Sequence, residues 1–372
     1  MQEHNLQDWL TLTFLPGIGC TLISRLLAEL DEPAKILGAT PDQLADIPGV
    51  GPILSRRLQD QALMEKARDL ARKELKKLAQ SNISVIPLDD QRYPASLRNI
   101  PDPPILIYCK GRTDLLDHPG VALVGSRSAT TYGRRISFSL GRELVKHGIC
   151  VISGMALGID SEAHAGALAV DGPTIGVLGC GIDVVYPQQN HALFRDVEQQ
   201  GLLVSEYPLG TTPDAFRFPE RNRIISGLAR GVVVVEATVK SGSLITAGLA
   251  LEQGREVFAV PGRVDSVKSQ GTHRLLQQGA KLVHGVEDIL EELDPAFMIR
   301  YEQPAEKSGV RHDGMNREEL HLLSCLDTYP VNIDELVRLS GYDPAVLADL
   351  LIRLELRGAV RQLPGQQYEL CQ

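Results

Sequence analysis

The sequence predicts an α/β protein: a Rossmann-like, mostly parallel sheet domain with an N-terminal helical domain and a C-terminal winged helix. Three observations carry this. Apolar, β-branched runs recur roughly every 20 to 30 residues between 120 and 283, with helical stretches between them; continuous apolar strands spaced in this way belong to parallel sheets covered on both faces. A turn pattern, Leu15-Pro16-Gly17-Ile18-Gly19, recurs as Ile47-Pro48-Gly49-Val50-Gly51 in otherwise helical sequence. After residue 316, three helical patterns are followed by two β-like segments around Pro364-Gly365.

Taken in chain order, residues 1–82 read as a helical domain of helix-hairpin-helix or SAM-like type. Its glycines allow positive φ and let bare amides approach a phosphate; the alternative is a pair of interhelical turns that only pack. Arg56 and Arg57 follow the second turn and Arg25 the first. The extended Rossmann-like domain spans 83–293. Short β pieces at 83–87 and 105–108 lead into strands at 121–124, 149–152, 174–178, 202–205, 232–236, 257–260 and 281–283. Residues 294–315 lack periodicity and read as a linker. The winged helix, 316–372, has helices near 318–326, 333–339 and 344–356; Gly358 ends the last, and a two-stranded wing follows.

The net charge of −9 argues at first against a nucleic-acid partner. Its distribution qualifies that: residues 1–110 carry 13 basic and 14 acidic side chains, 111–290 carry 17 and 18, and 291–372 carry 8 and 15. The sheet domain is near neutral and the acidity belongs to the C-terminal segment. The exposed face expected of the last long helix, with Asp349, Arg353 and Glu355, suits a protein contact or regulatory role better than a DNA backbone. Six cysteines, scattered at 20, 109, 150, 180, 325 and 371, form no C-x-x-C pair, so neither a zinc site nor a disulfide framework is expected. No apolar run approaches the ~20 residues of a membrane span, and the N-terminus is not signal-like. A cytoplasmic protein without metal or cofactor is the expectation.

Ligands of open parallel sheets bind outside the strand carboxyl ends. There the sequence holds Gly125-Ser126-Arg127, then Ser153-Gly154 running to Gly158-Ile159-Asp160, then Tyr186-Pro187-Gln188-Gln189-Asn190 with His191, then Phe218-Pro219-Glu220-Arg221-Asn222-Arg223, and Ser241-Gly242-Ser243 with Thr246. Gly and Ser at helix starts leave amides and hydroxyls free to hold an anion, and Arg127 adds a bidentate fork. No G-x-x-x-x-G-K-[ST], G-x-G-x-x-G, H-E-x-x-H or G-x-S-x-G occurs. A phosphate rim without catalytic machinery points to binding rather than turnover.

These loops, together with His164, Ser205-Glu206 and Val260-Pro261-Gly262, resemble in their order those of the DNA-processing protein A (DprA/Smf) family. The resemblance covers the whole Rossmann-like domain, and the flanking segments are similar to the family's variable domains. It implies a non-enzymatic protein that binds and protects single-stranded DNA, dimerises through the Rossmann-like domain, and loads RecA recombinase during natural transformation. It also implies that Arg127 contacts the strand. The family pattern often has Lys after Tyr-Pro, so Gln188 removes one phosphate charge and lowers the salt slope by up to about one counterion. The alternative is a nucleotide phosphoribohydrolase of the lysine-decarboxylase-like (LOG) group, whose fold is related. That group carries P-G-G-x-G-T-x-x-E, whereas here Pro261-Gly262 is followed by Arg263-Val264-Asp265. A double-strand reader using the two hairpins is a third reading.

Single residues follow from helical geometry. Arg221 and Arg223 stand about 200° apart on one helix. Arg221 shares a face with Ile224, Ile225 and Leu228 and is expected to be buried against Glu206 or Glu236, while Arg223 aligns with Arg230 as an exposed phosphate stripe. Asp160 is expected to cap its helix and hold His164 four residues on. His191 and Tyr186 are candidates to stack on bases, with packing the alternative for Tyr186. Ser241, Ser243 and Thr246 either bind phosphate or cap. Apolar residues near Leu275, Leu276 and Leu282 are candidates for the dimer contact.

Overall fold

The computed structural model describes residues 3–45, 47–293, 316–326, 331–363 and 365–370. The chain divides into two compact units, 1–302 and 303–372. The stretch 294–315, read above as a linker, lies outside the described residues.

In the first unit the strands are β1 (Ile83–Pro87), β2 (Leu106–Gly111), β3 (Gly120–Gly125), β4 (Cys150–Ser153), β5 (Thr174–Leu178), β6 (Leu202–Ser205), β7 (Gly231–Glu236), β8 (Glu256–Ala259) and β9 (Lys281–Leu282). They form one sheet in the order β1-β2-β6-β5-β4-β3-β7-β8-β9. From β6 to β9 every neighbour is parallel; β1 and β2 add an antiparallel edge. Alternate residues of a strand feed opposite faces. In β3, Val121 and Leu123 join a core with Leu140, Leu144 and Phe258, while Ala122 and Val124 join one with Ile224, Leu228 and Ala247. Burial on both sides, at about 1.5–3 kcal/mol per large aliphatic side chain, is why these strands read as unbroken apolar runs.

The helical segment is built on Glu3–Phe14, Cys20–Leu30, Pro52–Gln59 and Gln61–Leu78. Its two repeated turns have the expected left-handed glycines, Gly17 (φ 77°) and Gly49 (φ 91°). Each turn is covered by an arginine from beyond the other: Arg57 lies against Gly17 and Arg25 against Gly49. The two hairpins therefore sit side by side. The segment does not stand apart from the sheet, because Trp9, Leu12, Leu26 and Ala71 share one core with Ile105, Leu106, Met155 and Leu178. A buried carboxylate fastens the seam: Glu74, on the last of these helices, accepts the Leu209 amide at 2.7 Å.

The second unit has helices Arg317–Cys325, Ile333–Ser340 and Pro344–Leu356, with strands β10 (Val331–Asn332), β11 (Val360–Leu363) and β12 (Gln367–Leu370) ordered β10-β12-β11. This is a winged helix with one more strand than the sequence indicated. Asn316 and Glu319 close a capping box on the first helix, and Gly358 (φ 70°) follows the last. Asp349, Arg353 and Glu355 are exposed, with the first two paired at 2.6 Å. Among the described residues no helix is long and apolar enough to cross a membrane.

Replacing Glu74 by Ala leaves the half-buried Leu209 amide without its acceptor and is expected to lower the unfolding free energy by about 1–3 kcal/mol. Glu74→Gln, which keeps an acceptor, should cost clearly less; denaturant unfolding of both variants checks this.

Candidate nucleic-acid interface

From β3 the chain runs outward through β4, β5 and β6, then crosses to β7 and runs outward on the other side through β8 and β9. The strand order thus reverses between β3 and β7, which is where a crevice opens in such sheets. A cavity of about 700 Å³ lies there, within the ~300–1,000 Å³ typical of ligand sites. The register of β3 on β7 shifts between Val124 and Gly125, and the Ser126 amide donates to the Glu236 carbonyl at 2.7 Å. The shift carries the following residues out of the sheet. Gly158 (φ 81°) lets the β4 loop close against them, since a Cβ there would stand 2.3 Å from the Ser126 carbonyl oxygen.

Gly125, Ser126, Arg127, Asn222, Ser241, Gly242, Ser243 and Thr246 all line this cavity. Arg127 is exposed, with its guanidinium 5.2 Å from the centre of the Phe218 ring, and Phe218 stacks in turn on Tyr186 at 5.4 Å. Among the described residues no carboxylate lies within ion-pair distance of Arg127. A second cation reaches the same wall: Lys268 Nζ donates to the Ser128 carbonyl at 2.8 Å and to Ser126 Oγ at 3.3 Å. Opposite, Ser241 and Ser243 join hydroxyls at 2.8 Å over the start of helix Ser243–Glu252, and Asn222 donates to the Gly242 carbonyl at 3.4 Å. The serines are thus both helix-start partners and cavity lining, and Thr246 sits almost fully buried beneath them.

Below the rim lies a buried polar layer. Arg221 is 4% exposed and donates through Nη1 to the Gly154 carbonyl at 2.7 Å and to the Val177 carbonyl. Burial pulls its pKa down to about 10, opposed by the Asp160 carboxylate. Asp160 accepts the amides of Gly154 (3.2 Å) and Ala156 (3.3 Å), and its pKa is raised by burial and held back by Arg221.

The remaining predicted residues stand away from the cavity lining. Ser153 is buried and donates to the Leu123 carbonyl at 2.6 Å. Gly154 backs onto the Arg221 guanidinium. Gln188 is exposed and donates to the Val185 carbonyl; His191 is exposed one turn further on. Asn190 is buried, with its amide donating to the Met155 and Ala156 carbonyls and to Ser161 Oγ.

Arg223 departs most from expectation. It is 7% exposed, paired with Glu206 and, at 3.1 Å, with Asp102, and lies beside Cys20 of the helical segment. Arg223 is thus buried on structural partners, and Arg230, which is exposed, lies beyond the end of helix Arg217–Leu228, so the helix has no exposed basic stripe. Glu206 accordingly pairs with Arg223 and not with Arg221, while Glu236 accepts the Thr130 amide. His164 also departs: its Nδ1 lies 2.7 Å from Thr174 Oγ1, not against Asp160.

Residues 70–294 match the profile of the DNA recombination-mediator protein A family, residues 305–366 that of the DprA winged helix domain, and residues 10–63 a SAM-like helix-hairpin-helix tandem. The chain belongs to the DNA recombination-mediator protein A family. Protein Smf of Synechocystis sp. is 32% identical over 97% of this chain and 98% of its own length. The structure of DprA from Streptococcus pneumoniae superposes with a TM-score of 0.67 at 36% identity, covering 77% of this chain and 98% of that one. DNA processing protein A from Helicobacter pylori, described for its single-stranded DNA binding mode, gives 0.52 at 34% identity over 56% and 94%.

For a DprA-family chain, the cavity residue that sequence reasoning missed is Lys268. Its signal was available, since it lies in the loop following β8, at a strand carboxyl end like the others. A lone Lys beyond the Pro261-Gly262 turn carries no motif of its own.

The buried histidine generates a pH prediction. Thr174 Oγ1 donates to the Val151 carbonyl at 2.9 Å, so it accepts from His164 Nδ1, leaving Nε2 bare and without a partner. Burial first and Arg221 second pull the His164 pKa down to about 3 from the ordinary 6.5. Because the unfolded chain takes up this proton earlier, the stability it confers is present above pH 6.5 and is lost on acidification toward 3, by up to about 1.4 kcal/mol per pH unit. Thermal unfolding between pH 7 and 4 should fall more steeply in the native chain than in His164→Gln; parallel curves would contradict this.

Proposed function

We propose that this chain captures single-stranded DNA by its backbone in the cavity between the ends of β3 and β7 and delivers it to a RecA-type recombinase in natural transformation and recombination. The observation that carries the reading is the meeting of two cations, Arg127 and Lys268, with serine hydroxyls and a stacked aromatic pair in one cavity. Phosphate charge and base faces are what single strands offer together. Membership of a recombination-mediator family supports the recombinase step, and the single-strand binding described for the Helicobacter pylori relative supports the ligand.

In this reading Arg127 is the principal anchor, held over Phe218 so that little side-chain freedom is lost on binding. Lys268 supplies a second phosphate charge, and Ser126, Ser241 and Ser243 supply hydroxyls. Two copies joined through the sheet unit would set two such cavities on one strand and raise avidity. Leu276 and Leu282, partly exposed, remain the candidates for that contact, whereas Leu275 is buried in the core. The protein acts as a cytoplasmic binding protein, without turnover of the strand.

Arg127→Ala is expected to weaken binding of a dT oligonucleotide by about tenfold or more at physiological salt. It should also flatten the plot of log affinity against log salt by about 0.7, one single-strand phosphate contact. Lys268→Ala should flatten it similarly. Anisotropy titrations at several salt concentrations test both, and an unchanged Arg127→Ala affinity would refute the site.

A further inference from the structure

Just outside the cavity, on the segment whose Pro213, Ala215 and Phe218 line it, Phe216 holds its ring 61% exposed. An exposed phenylalanine ring forgoes the stabilisation of burial, and among the described residues Arg217 is the side chain recorded against it. The ring is nonetheless held in place. The Arg217 guanidinium lies 5.1 Å from its centre, and Arg217 is itself fixed by Asp214 at 2.8 Å, by the Thr212 carbonyl and by the Tyr207 ring at 5.4 Å. Phe216 and Arg217 thus repeat, two residues away, the arrangement of Phe218 and Arg127 inside the cavity. One cation–ring pair lines the cavity; the other stands beyond its rim.

We infer that Phe216 is a stacking platform for the base next to the nucleotide held in the cavity, so that the binding track continues across the rim at residues 216–217. The inference rests on the single-strand reading above and extends it to a residue of the track. Its chemistry is sequence-tolerant, because every base presents a π face to an aromatic ring, and Arg217, itself held by Asp214, steadies that ring from the other side. Tyr186 and Phe218 are occupied with each other and with Arg127, whereas Phe216 has Arg217 at one side and an open ring otherwise.

The chain has a single tryptophan, Trp9, 1% exposed in the helical segment, so Phe216→Trp installs a second, exposed reporter. The full-length variant should bind dT12 as tightly as the native chain, and emission from the introduced tryptophan should be quenched on saturation. Phe216→Ala should weaken dT12 binding by about tenfold while leaving thymidine 5′-monophosphate binding unchanged. Native-strength dT12 binding by Phe216→Ala, or an unquenched reporter at saturation, overturns the inference and assigns the ring to a protein contact instead. Failure of the native chain to bind dT12 at all overturns the underlying reading, which separates the two failures.

Discussion

The geometry of the cavity depends on one buried guanidinium. Arg221 enters from helix Arg217–Leu228 and binds carbonyls at the carboxyl ends of both β4 and β5, while Asp160 across from it gathers the amides of the loop that follows β4. Removing a charge from water is costly; backbone carbonyls take Arg221 Nη1 and the Asp160 carboxylate acts on the guanidinium through space, while Arg221 Nε is buried without a hydrogen-bond partner. Deleting one member of such a pair would leave the other uncompensated. The result is a rigid floor that tilts the β3 and β4 loops toward each other, with Gly158 allowing their contact.

Above that floor Arg127 and Lys268 have no carboxylate within ion-pair distance among the described residues. The contrast with Arg223 is instructive, since one helix carries Arg221 and Arg223 two residues apart and both are spent on structure, one under the cavity and one in the seam with Glu206 and Asp102. Free positive charge at the rim comes from loops instead, at Arg127 and Lys268. A net charge of −9 is therefore no guide to this site: the local field is set by two side chains resting on an aromatic ring and on serine oxygens.

The strands were legible because burial on both faces writes an apolar run that no surface strand would tolerate, and the position of the cavity followed from the rule that loops at strand ends carry ligands. The roles of Arg221 and Arg223 were not legible. Helical periodicity gives the angle between two side chains, but it does not say that Asp102 and Glu206, from two distant loops, converge on the second one and bury it. His164 and Asp160 failed for the same reason: four-residue spacing puts them on one face, yet each found a nearer partner from a different strand or loop. Lys268 escaped because its contacts with Ser126 and Ser128 join loops 140 residues apart.

The shape of the site bears on which nucleic acid it suits. In a duplex the base faces are stacked and the edges paired, leaving phosphates as the only groups to reach a concave wall. The cavity sets an aromatic pair directly beside its cations, with a further ring at the rim, and those rings have no base face to meet in a duplex. A flexible strand can present phosphate and base from one nucleotide at once, so contacts with Arg127 and with the aromatic wall reinforce one another at no added association entropy. Aromatic residues make up only 5% of the chain, and their concentration beside Arg127 and Arg217 is the reason the proposed ligand is a single strand.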